Sequence, residues 1–185
     1  GASRREALRV LPVLVEMGMP ALVIDYRNDK GAPPNPDRFY RYGLTEWKEL
    51  EGAAQYAMRE GAEGLILIGY SMGGAIVTSF MYESSLAESV RGLVLDSPML
   101  DFGATVDHGA SQRSIPLVGL PLPGILTSVA KRLSSIRYDV DFEGSNYLTR
   151  TDQLKVPILL FQGDGDKTVP PSSSDALFEA RPDLV

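Results

Sequence analysis

The sequence predicts an α/β protein in which a mostly parallel sheet is flanked by helices. Three short apolar runs have the length and composition of buried parallel strands, and they lie at 65–68, 92–95 and 156–161. Stretches with helical spacing separate these runs. Because strands that alternate with helices along a chain pair side by side in a parallel sheet, the order of the elements alone predicts this fold class.

Composition limits the classes of protein that the chain can belong to. With 185 residues and 44% hydrophobic content, the chain is long enough for one domain with a sizeable core. The net charge of −6 disfavours nucleic acid as a partner. Cysteine is absent, which excludes disulfides and a thiol nucleophile. The lone histidine and the scattered carboxylates imply no metal or organic cofactor.

No segment has the pattern of a membrane span. The longest apolar stretch, 115–130, is interrupted by Pro116, Pro121 and Pro123. It is also shorter than the roughly 20 residues that a helix needs to cross a bilayer. The sequence therefore gives no evidence of a transmembrane helix, and it leaves the oligomeric state open.

The elements of the first half follow from local patterns. Apolar spacing over 4–17 predicts a helix, and the run Ala21-Leu22-Val23-Ile24 predicts a further buried strand. After a turn-rich stretch, Thr45 is placed to cap a helix over 46–59, which Gly61 ends.

In the second half, the region 99–155 differs from the rest of the chain. It is rich in proline and weakly periodic, with one predicted helix near 125–133 that should turn Val129 inward. An insertion of this length between two strands is typical of a cap or lid over a site. Ser172 and Asp175 then predict a capping box that opens a last helix through residue 180.

The strongest local signal is the motif G-x-S-x-G that follows the first of the three strands. Gly69 and Gly73 are expected to leave room where a Cβ would clash, so that the chain reverses sharply from strand into helix. Ser71 is then exposed at the tip of the turn, with a strained backbone. The N–H of Met72 lies at the start of the helix, where it can stabilise an oxyanion. This pattern predicts a nucleophile elbow; the alternative is a serine that only caps the helix.

Four segments together resemble the α/β-hydrolase superfamily, and the similarity extends over essentially the whole chain. They are Gly69–Gly74, Ile24–Arg27, Leu95–Pro98 and 163–170. The resemblance implies a partial α/β-hydrolase fold with a helical cap insertion over 99–155. It also implies a serine hydrolase whose nucleophile, acid and histidine follow each other in that order.

The resemblance places the acid of the catalytic triad at Asp166. That residue fits the family motif G-x-x-D-x-x-V-P, whereas Asp164 is expected to shape the turn. Asp96, at the end of the preceding strand, is the alternative, since some family members carry the acid there.

The chain departs from the family pattern at both ends. The family histidine follows the acid after a further strand, but the single histidine here, His108, precedes Asp166 and is expected to be a cap residue. The resemblance also implies a strand and an oxyanion loop ahead of residue 1. Their loss should leave a slot between the strand at 21–24 and the serine strand. We therefore expect an internal piece of a longer protein that is inactive alone.

The function predicted from these residues is hydrolysis of a carboxylic ester or thioester through an acyl-enzyme on Ser71. The apolar residues of the cap favour a small-molecule substrate with an apolar acyl or alcohol part; they are Leu117, Val118, Leu120, Leu122, Ile125 and Leu126. The same residues could instead form the core of the cap. Two alternatives remain: a serine peptidase resembling prolyl oligopeptidase, and a binding protein that kept the fold without catalysis.

Overall fold

The computed structural model describes residues 4–114 and 122–185, and its central element is a three-stranded parallel sheet. The strands are β1 (Leu65–Tyr70), β2 (Val90–Asp96) and β3 (Ile158–Phe161). They are hydrogen-bonded in the order β1-β2-β3. The predicted α/β class with a parallel sheet is confirmed, and each of the three apolar runs forms its strand within two residues of the predicted limits.

The register of the strands brings their carboxyl ends to one rim of the sheet. Tyr70 lies beside Asp96, and Asp96 lies beside Phe161. Because these three residues end their strands at the same level, the loops that follow them start close together. Any side chains carried by those loops are therefore available to a common site.

Six α-helices and three short 3₁₀ helices occur among the described residues. The α-helices are α1 (Leu11–Glu16), α2 (Trp47–Arg59), α3 (Met72–Glu83), α4 (Phe102–Ser111), α5 (Gly124–Tyr138) and α6 (Pro171–Ala180). The 3₁₀ helices are Arg4–Arg9, Ala87–Ser89 and Tyr147–Gln153. None of the helices in the described parts of the chain is both long and apolar enough to cross a bilayer.

Helix α3 occupies the centre of the core. It packs against β1, β2 and α2, and its side chains at Ala75, Ile76 and Phe80 are fully buried. A helix that is apolar on all sides is stable only when neighbours surround it, which is the situation here. The packing fixes the start of α3 against the ends of β1 and β2.

The predicted strand at 21–24 is not formed. These residues belong to no sheet among the described residues. Val23 and Ile24 line a cleft of ≈ 1410 Å³ together with Ile66 and Ile68 of β1. A strand requires a partner that accepts and donates its backbone hydrogen bonds, and 21–24 pairs with no strand among the described residues. The expected slot lies at this position.

Two predicted helix caps differ from the structure. Thr45 does not cap α2; the carboxylate of Glu46 instead accepts hydrogen bonds from the N–H groups of Arg41 (2.6 Å) and Gly43 (3.0 Å). Ser172 lies inside α6, which begins with proline at its first position and has no side-chain cap. Proline has no N–H to satisfy, so this start needs no capping hydroxyl.

The region 99–155 contains more helix than its sequence predicts. Helix α4 was not predicted, and α5 extends beyond the expected 125–133. Val129 is half exposed rather than turned inward. Leu117, Val118 and Leu120 lie outside the described residues, whereas Ile125 and Leu126 are exposed.

The N-terminal helical stretch is divided. A 3₁₀ helix ends at Arg9, and α1 starts at Leu11 with proline in its first turn. Proline fits the first turn of a helix but breaks a helix interior, so the single predicted helix becomes two.

Candidate active site

Ser71 lies between the end of β1 and the start of α3, as the motif predicts. Its backbone has φ 50° and ψ −117°, a combination that a residue with a Cβ rarely adopts. The hydroxyl makes no hydrogen bond to the other described residues, and the residue is half-buried. The strand before it is an edge strand of the described sheet rather than a central one.

Main-chain hydrogen bonds hold Ser71 in this conformation. Its N–H donates to the carbonyl of Asp96 (3.0 Å), and its carbonyl accepts from the N–H groups of Met99 (3.0 Å) and Gly74 (2.9 Å). The end of β2 and the segment after it therefore bind both the N–H and the carbonyl of the serine. Strain of this kind persists only when the surrounding structure fixes it.

The three glycines around the turn have different roles. A Cβ at Gly69 would lie 2.5 Å from the carbonyl oxygen of Gly73, so only glycine fits there. A Cβ at Gly74 would lie 2.5 Å from Cβ of Pro98. At Gly73 a Cβ would meet nothing within 4 Å. The expectation that Gly73 avoids a Cβ clash is therefore wrong, because the close contact involves its backbone, and Gly74 has the tight packing instead.

The N–H of Met72 is the first of α3. The first four N–H groups of a helix have no acceptor within the helix, and they carry the positive end of its dipole. Met72 is half-buried beside Ser71 at the wall of the cleft. This donor is therefore available to an anion that forms next to the serine.

Asp166 lies in the turn after β3, at the same rim as Ser71. Its carboxylate accepts hydrogen bonds from the N–H groups of Thr168 (2.7 Å) and Val169 (3.0 Å). Partial burial raises the pKa of this carboxyl, but hydrogen bonds from Thr168, Val169 and Ser97, together with nearby His108, lower the pKa below its ordinary value. The carboxylate is thus held in one orientation and kept ionised.

Ser97 connects the two parts of the site, and the sequence alone did not single it out. Its N–H donates to the carbonyl of Phe161 (2.8 Å). Its hydroxyl donates to Oδ1 of Asp96 (3.4 Å), and it also helps to lower the pKa of Asp166. Its φ of 47° is again in the left-handed region. A polar residue directly after a buried strand was the available signal, since such residues lie at the rim where parallel strands end.

The other two acids at this rim have different surroundings. The carboxylate of Asp96 faces Arg9, whose Nη1 lies 3.4 Å away. Asp164 is exposed, and its side chain makes no hydrogen bond to any described residue. The turn is shaped by Asp166 itself, because its N–H donates to the carbonyl of Gly163 (3.1 Å) while its carboxylate binds the amides that follow. Shaping of the turn by Asp164 is therefore not observed.

His108 lies on α4, and its Nε2 is 3.1 Å from the backbone carbonyl of Asp166. A carbonyl only accepts, so Nε2 carries the proton in this contact. In a serine triad the imidazole instead donates to the carboxylate and accepts from the serine hydroxyl. The structure brings His108 to the loop that carries Asp166 without giving it that arrangement.

Among the described residues, no group of three or more histidine, aspartate and glutamate side chains is placed to hold a metal ion. The polar groups assembled at this rim are a serine hydroxyl, a helix N-terminus and an oriented carboxylate. These groups are suited to nucleophilic attack on a carbonyl carbon and to stabilising the oxyanion that results.

No protein-family model and no curated protein sequence match the chain. Solved structures do share its fold. The esterase Pf2001 of Pyrococcus furiosus superposes with a TM-score of 0.66 at 21% identity, over 95% of this chain and 60% of that one. The monoacylglycerol lipase of Paleococcus ferrophilus superposes with a TM-score of 0.59 at 19% identity, and the match covers 94% of this chain and 74% of the lipase. A puromycin-hydrolyzing peptidase of Mycobacterium tuberculosis superposes with a TM-score of 0.52 at 21% identity, and the match covers 78% of this chain and 20% of the peptidase.

These similarities define the class of fold. The three parallel strands and their helices form a partial α/β-hydrolase fold. The chain spans about 60% of the length of the Pyrococcus esterase.

Proposed function

We propose that this chain is part of a serine hydrolase that cleaves carboxylic esters or thioesters through an acyl-enzyme on Ser71. The observation that carries the proposal is the conformation of Ser71, with φ 50° at the junction of β1 and α3. Such strain is found at functional sites, where it presents a nucleophile beside a helix N-terminus. A serine that only caps a helix needs no positive φ, since helix caps are ordinarily extended. Ser71 also makes no side-chain capping bond.

The proposed reaction begins when Oγ of Ser71 gives its proton to the base and attacks the acyl carbon, while the carbonyl π electrons move to the oxygen. The N–H of Met72 donates to that oxyanion. As the tetrahedral intermediate collapses, the leaving alcohol or thiol takes up that proton from the base and departs. Water then attacks the acyl-serine, releasing the carboxylic acid and restoring the hydroxyl.

We assign the orienting acid to Asp166 and the base to a histidine outside residues 1–185. The lowered pKa of Asp166 supports this role, because an ionised carboxylate is needed to orient and stabilise an imidazolium. The carboxylate of Asp96 is engaged by Arg9, which favours Asp166 over it. We further propose that 99–155 forms a cap over the rim, since α4 contacts the turn that carries Asp166.

Two of the structures with this fold favour an ester hydrolase, and the third favours a serine peptidase. The esterase and lipase align over nearly all of this chain, whereas the peptidase aligns over 78% of it at a lower TM-score. A serine peptidase is therefore retained as the second candidate, since the same nucleophile and oxyanion donor serve amide bonds. A binding protein without catalysis is distinguished by its failure to react covalently at Ser71.

The test compares three proteins with a fluorophosphonate probe and a short-chain aryl ester. They are residues 1–185, a longer product of the same gene, and that longer product with Ser71→Ala. We expect the longer product to be labelled on Ser71 and Ser71→Ala to lose about six orders of magnitude in turnover. We expect residues 1–185 alone to hydrolyse the ester poorly, because the base is absent.

The matched control is Ser128→Ala, which removes another serine hydroxyl from an exposed position on α5. This variant is expected to keep full labelling and turnover. If Ser71→Ala retained either property, the assignment of the nucleophile would be wrong. If residues 1–185 matched the longer product, His108 would have to be considered as the base.

A further inference from the structure

Two side chains at the end of α4 hydrogen-bond backbone carbonyls of the turn after β3. Nε2 of His108 contacts the carbonyl of Asp166 at 3.1 Å, and Nε2 of Gln112 donates to the carbonyl of Lys167 at 2.9 Å. Residues four positions apart on a helix lie on the same face, so α4 presents both donors to this turn together. Gln112 is the residue directly after the last residue of α4, and the helix positions it for this contact.

These two contacts complete the hydrogen bonding of a short and otherwise exposed stretch of backbone. The N–H of Asp166 binds the carbonyl of Gly163, and its carboxylate binds the N–H groups of Thr168 and Val169. The turn thus supplies acceptors for three of its own N–H groups, whereas the carbonyls of residues 166 and 167 accept from outside it. Both of those carbonyls find their partners on α4.

Helix α4 is also attached to α5. Nζ of Lys131 lies 2.7 Å from the carboxylate of Asp107, the residue next to His108. Helix α4 therefore lies between the turn that carries Asp166 and the outer helix of the same region. A displacement of α4 would release both carbonyls, and water would replace the two side-chain donors.

We propose that His108 and Gln112 are positioning residues that hold Asp166 in its hydrogen-bonded orientation and couple the position of α4 to that of the acid. This inference rests on the proposed function, in which Asp166 orients the base. Neither side chain takes part in proton transfer in this scheme. Each acts through the backbone of the turn.

The first measurement needs no enzymatic activity. In residues 1–185 His108 is the only histidine, so its two ring nitrogens give a single set of NMR signals in that protein, and we expect the neutral ring to carry its proton on Nε2. The amides of Thr168 and Val169 report the turn through hydrogen exchange. In His108→Phe and in Gln112→Met, which keep bulk and remove the donor, we expect their exchange to quicken roughly 2- to 12-fold, as for loss of one hydrogen bond.

Two variants and one reference amide distinguish a local effect on the turn that carries Asp166 from a loss of stability of the whole fold. His108→Gln restores an N–H donor and should return exchange towards that of the unaltered protein. Ser111→Ala removes a hydroxyl that bonds only the carbonyl of His108 within α4, and it should leave the turn unchanged. The buried amide of Leu95 in β2 reports global unfolding. If His108→Phe quickened exchange at Leu95 as much as at Val169, or left Val169 unchanged, the proposal would be overturned.

The second measurement is the hydrolysis assay on the longer gene product. His108→Phe and Gln112→Met should lower kcat by a similar factor of roughly 2 to 12 and leave KM within about twofold, with recovery in His108→Gln. If exchange of the Thr168 and Val169 amides quickened while kcat stayed the same, His108 and Gln112 would stabilise the turn, but Asp166 would have no role in catalysis. That outcome contradicts the proposed role of the acid, and the coupling with it.

Discussion

Helices α3 and α5 have similar lengths and opposite surroundings. Eight residues of α3 are buried, from Gly74 to Met81, whereas α5 has none. Helix α3 holds the serine turn, so a displacement of it would move the proposed nucleophile. Helix α5 is attached by contacts such as those of Arg41 with the carbonyls of Tyr138 and Asp139. The comparison separates a part of the molecule that fixes geometry from a part that can adjust without unfolding it.

The largest expected effect tests this contrast directly. Phe80→Ala, which empties a fully buried position on α3, should lower the free energy of unfolding by about 3–5 kcal/mol. Leu133→Ala removes apolar atoms from α5, where the side chain is 60% exposed. It should change the free energy of unfolding by less than about 0.5 kcal/mol. Urea denaturation measures both values. Equal losses would mean that α5 is as firmly packed as α3.

An intermediate effect is expected at the start of α3, where two adjacent glycines differ. Gly74→Ala places a Cβ 2.5 Å from Pro98 and should destabilise the fold by about 1–3 kcal/mol, because the backbone after β2 must move. Gly73→Ala meets no neighbour and should be neutral or stabilising by up to about 1 kcal/mol, since alanine favours the helix. Thermal denaturation compares the pair. The reverse order would contradict the packing of α3 against residue 98.

The smallest effect concerns the charge of Asp166 and depends on pH. A carboxyl with a lowered pKa in the folded state contributes stability above its unfolded pKa, and this contribution is lost as pH falls through the folded pKa. Asp166→Asn keeps an acceptor oxygen but loses the charge. It should therefore be less stable than the unaltered protein at pH 6, and the difference should shrink below about pH 4.

The control for this measurement is Asp164→Asn, which makes the same change of charge on an exposed side chain two residues away. At pH 6 the free energy of unfolding of Asp164→Asn should differ less from that of the unaltered protein than the value for Asp166→Asn does. Urea titrations at several pH values give both curves. A difference for Asp166→Asn that persisted unchanged to pH 3 would show that the ionised form is not favoured by folding.

The elements that the sequence predicted well are those whose stability is decided by composition. The apolar runs of β1, β2 and β3 pair with each other, so each finds the partners that its composition requires. The run at 21–24 has the same composition but no adjacent strand in the structure, and it stays outside the sheet. Local pattern predicts that a segment can form a strand, whereas pairing decides whether it does.

Helix α4 shows the opposite error. Its sequence contains Gly103 and Gly109 and lacks a clear apolar stripe, so no helix was predicted there. The structure begins it at Asp101, whose carboxylate accepts from the N–H of Ala104 (2.8 Å). That cap is visible in the sequence as an aspartate shortly after the end of β2, and aspartate is among the preferred N-cap residues.

In the candidate site, the motifs predict roles for Ser71, Met72 and Asp166 from local chain geometry alone, and these roles stay predictions. The contributions of Ser97 and Gln112 could not be found in the same way. Both act through contacts with a turn more than 50 residues away in sequence. No spacing rule along the chain encodes a contact of that kind.

The side of β1 that faces the cleft has a consequence for handling the protein in solution. Unpaired strand edges promote association of one molecule with another, and Ile66 on β1 is exposed. The net charge of −6 opposes such contacts through mutual repulsion. That repulsion vanishes near pH 4.8, the isoelectric point. Concentrated samples should therefore keep best at low salt and well above that pH, where colloidal repulsion protects the edge that folding leaves open.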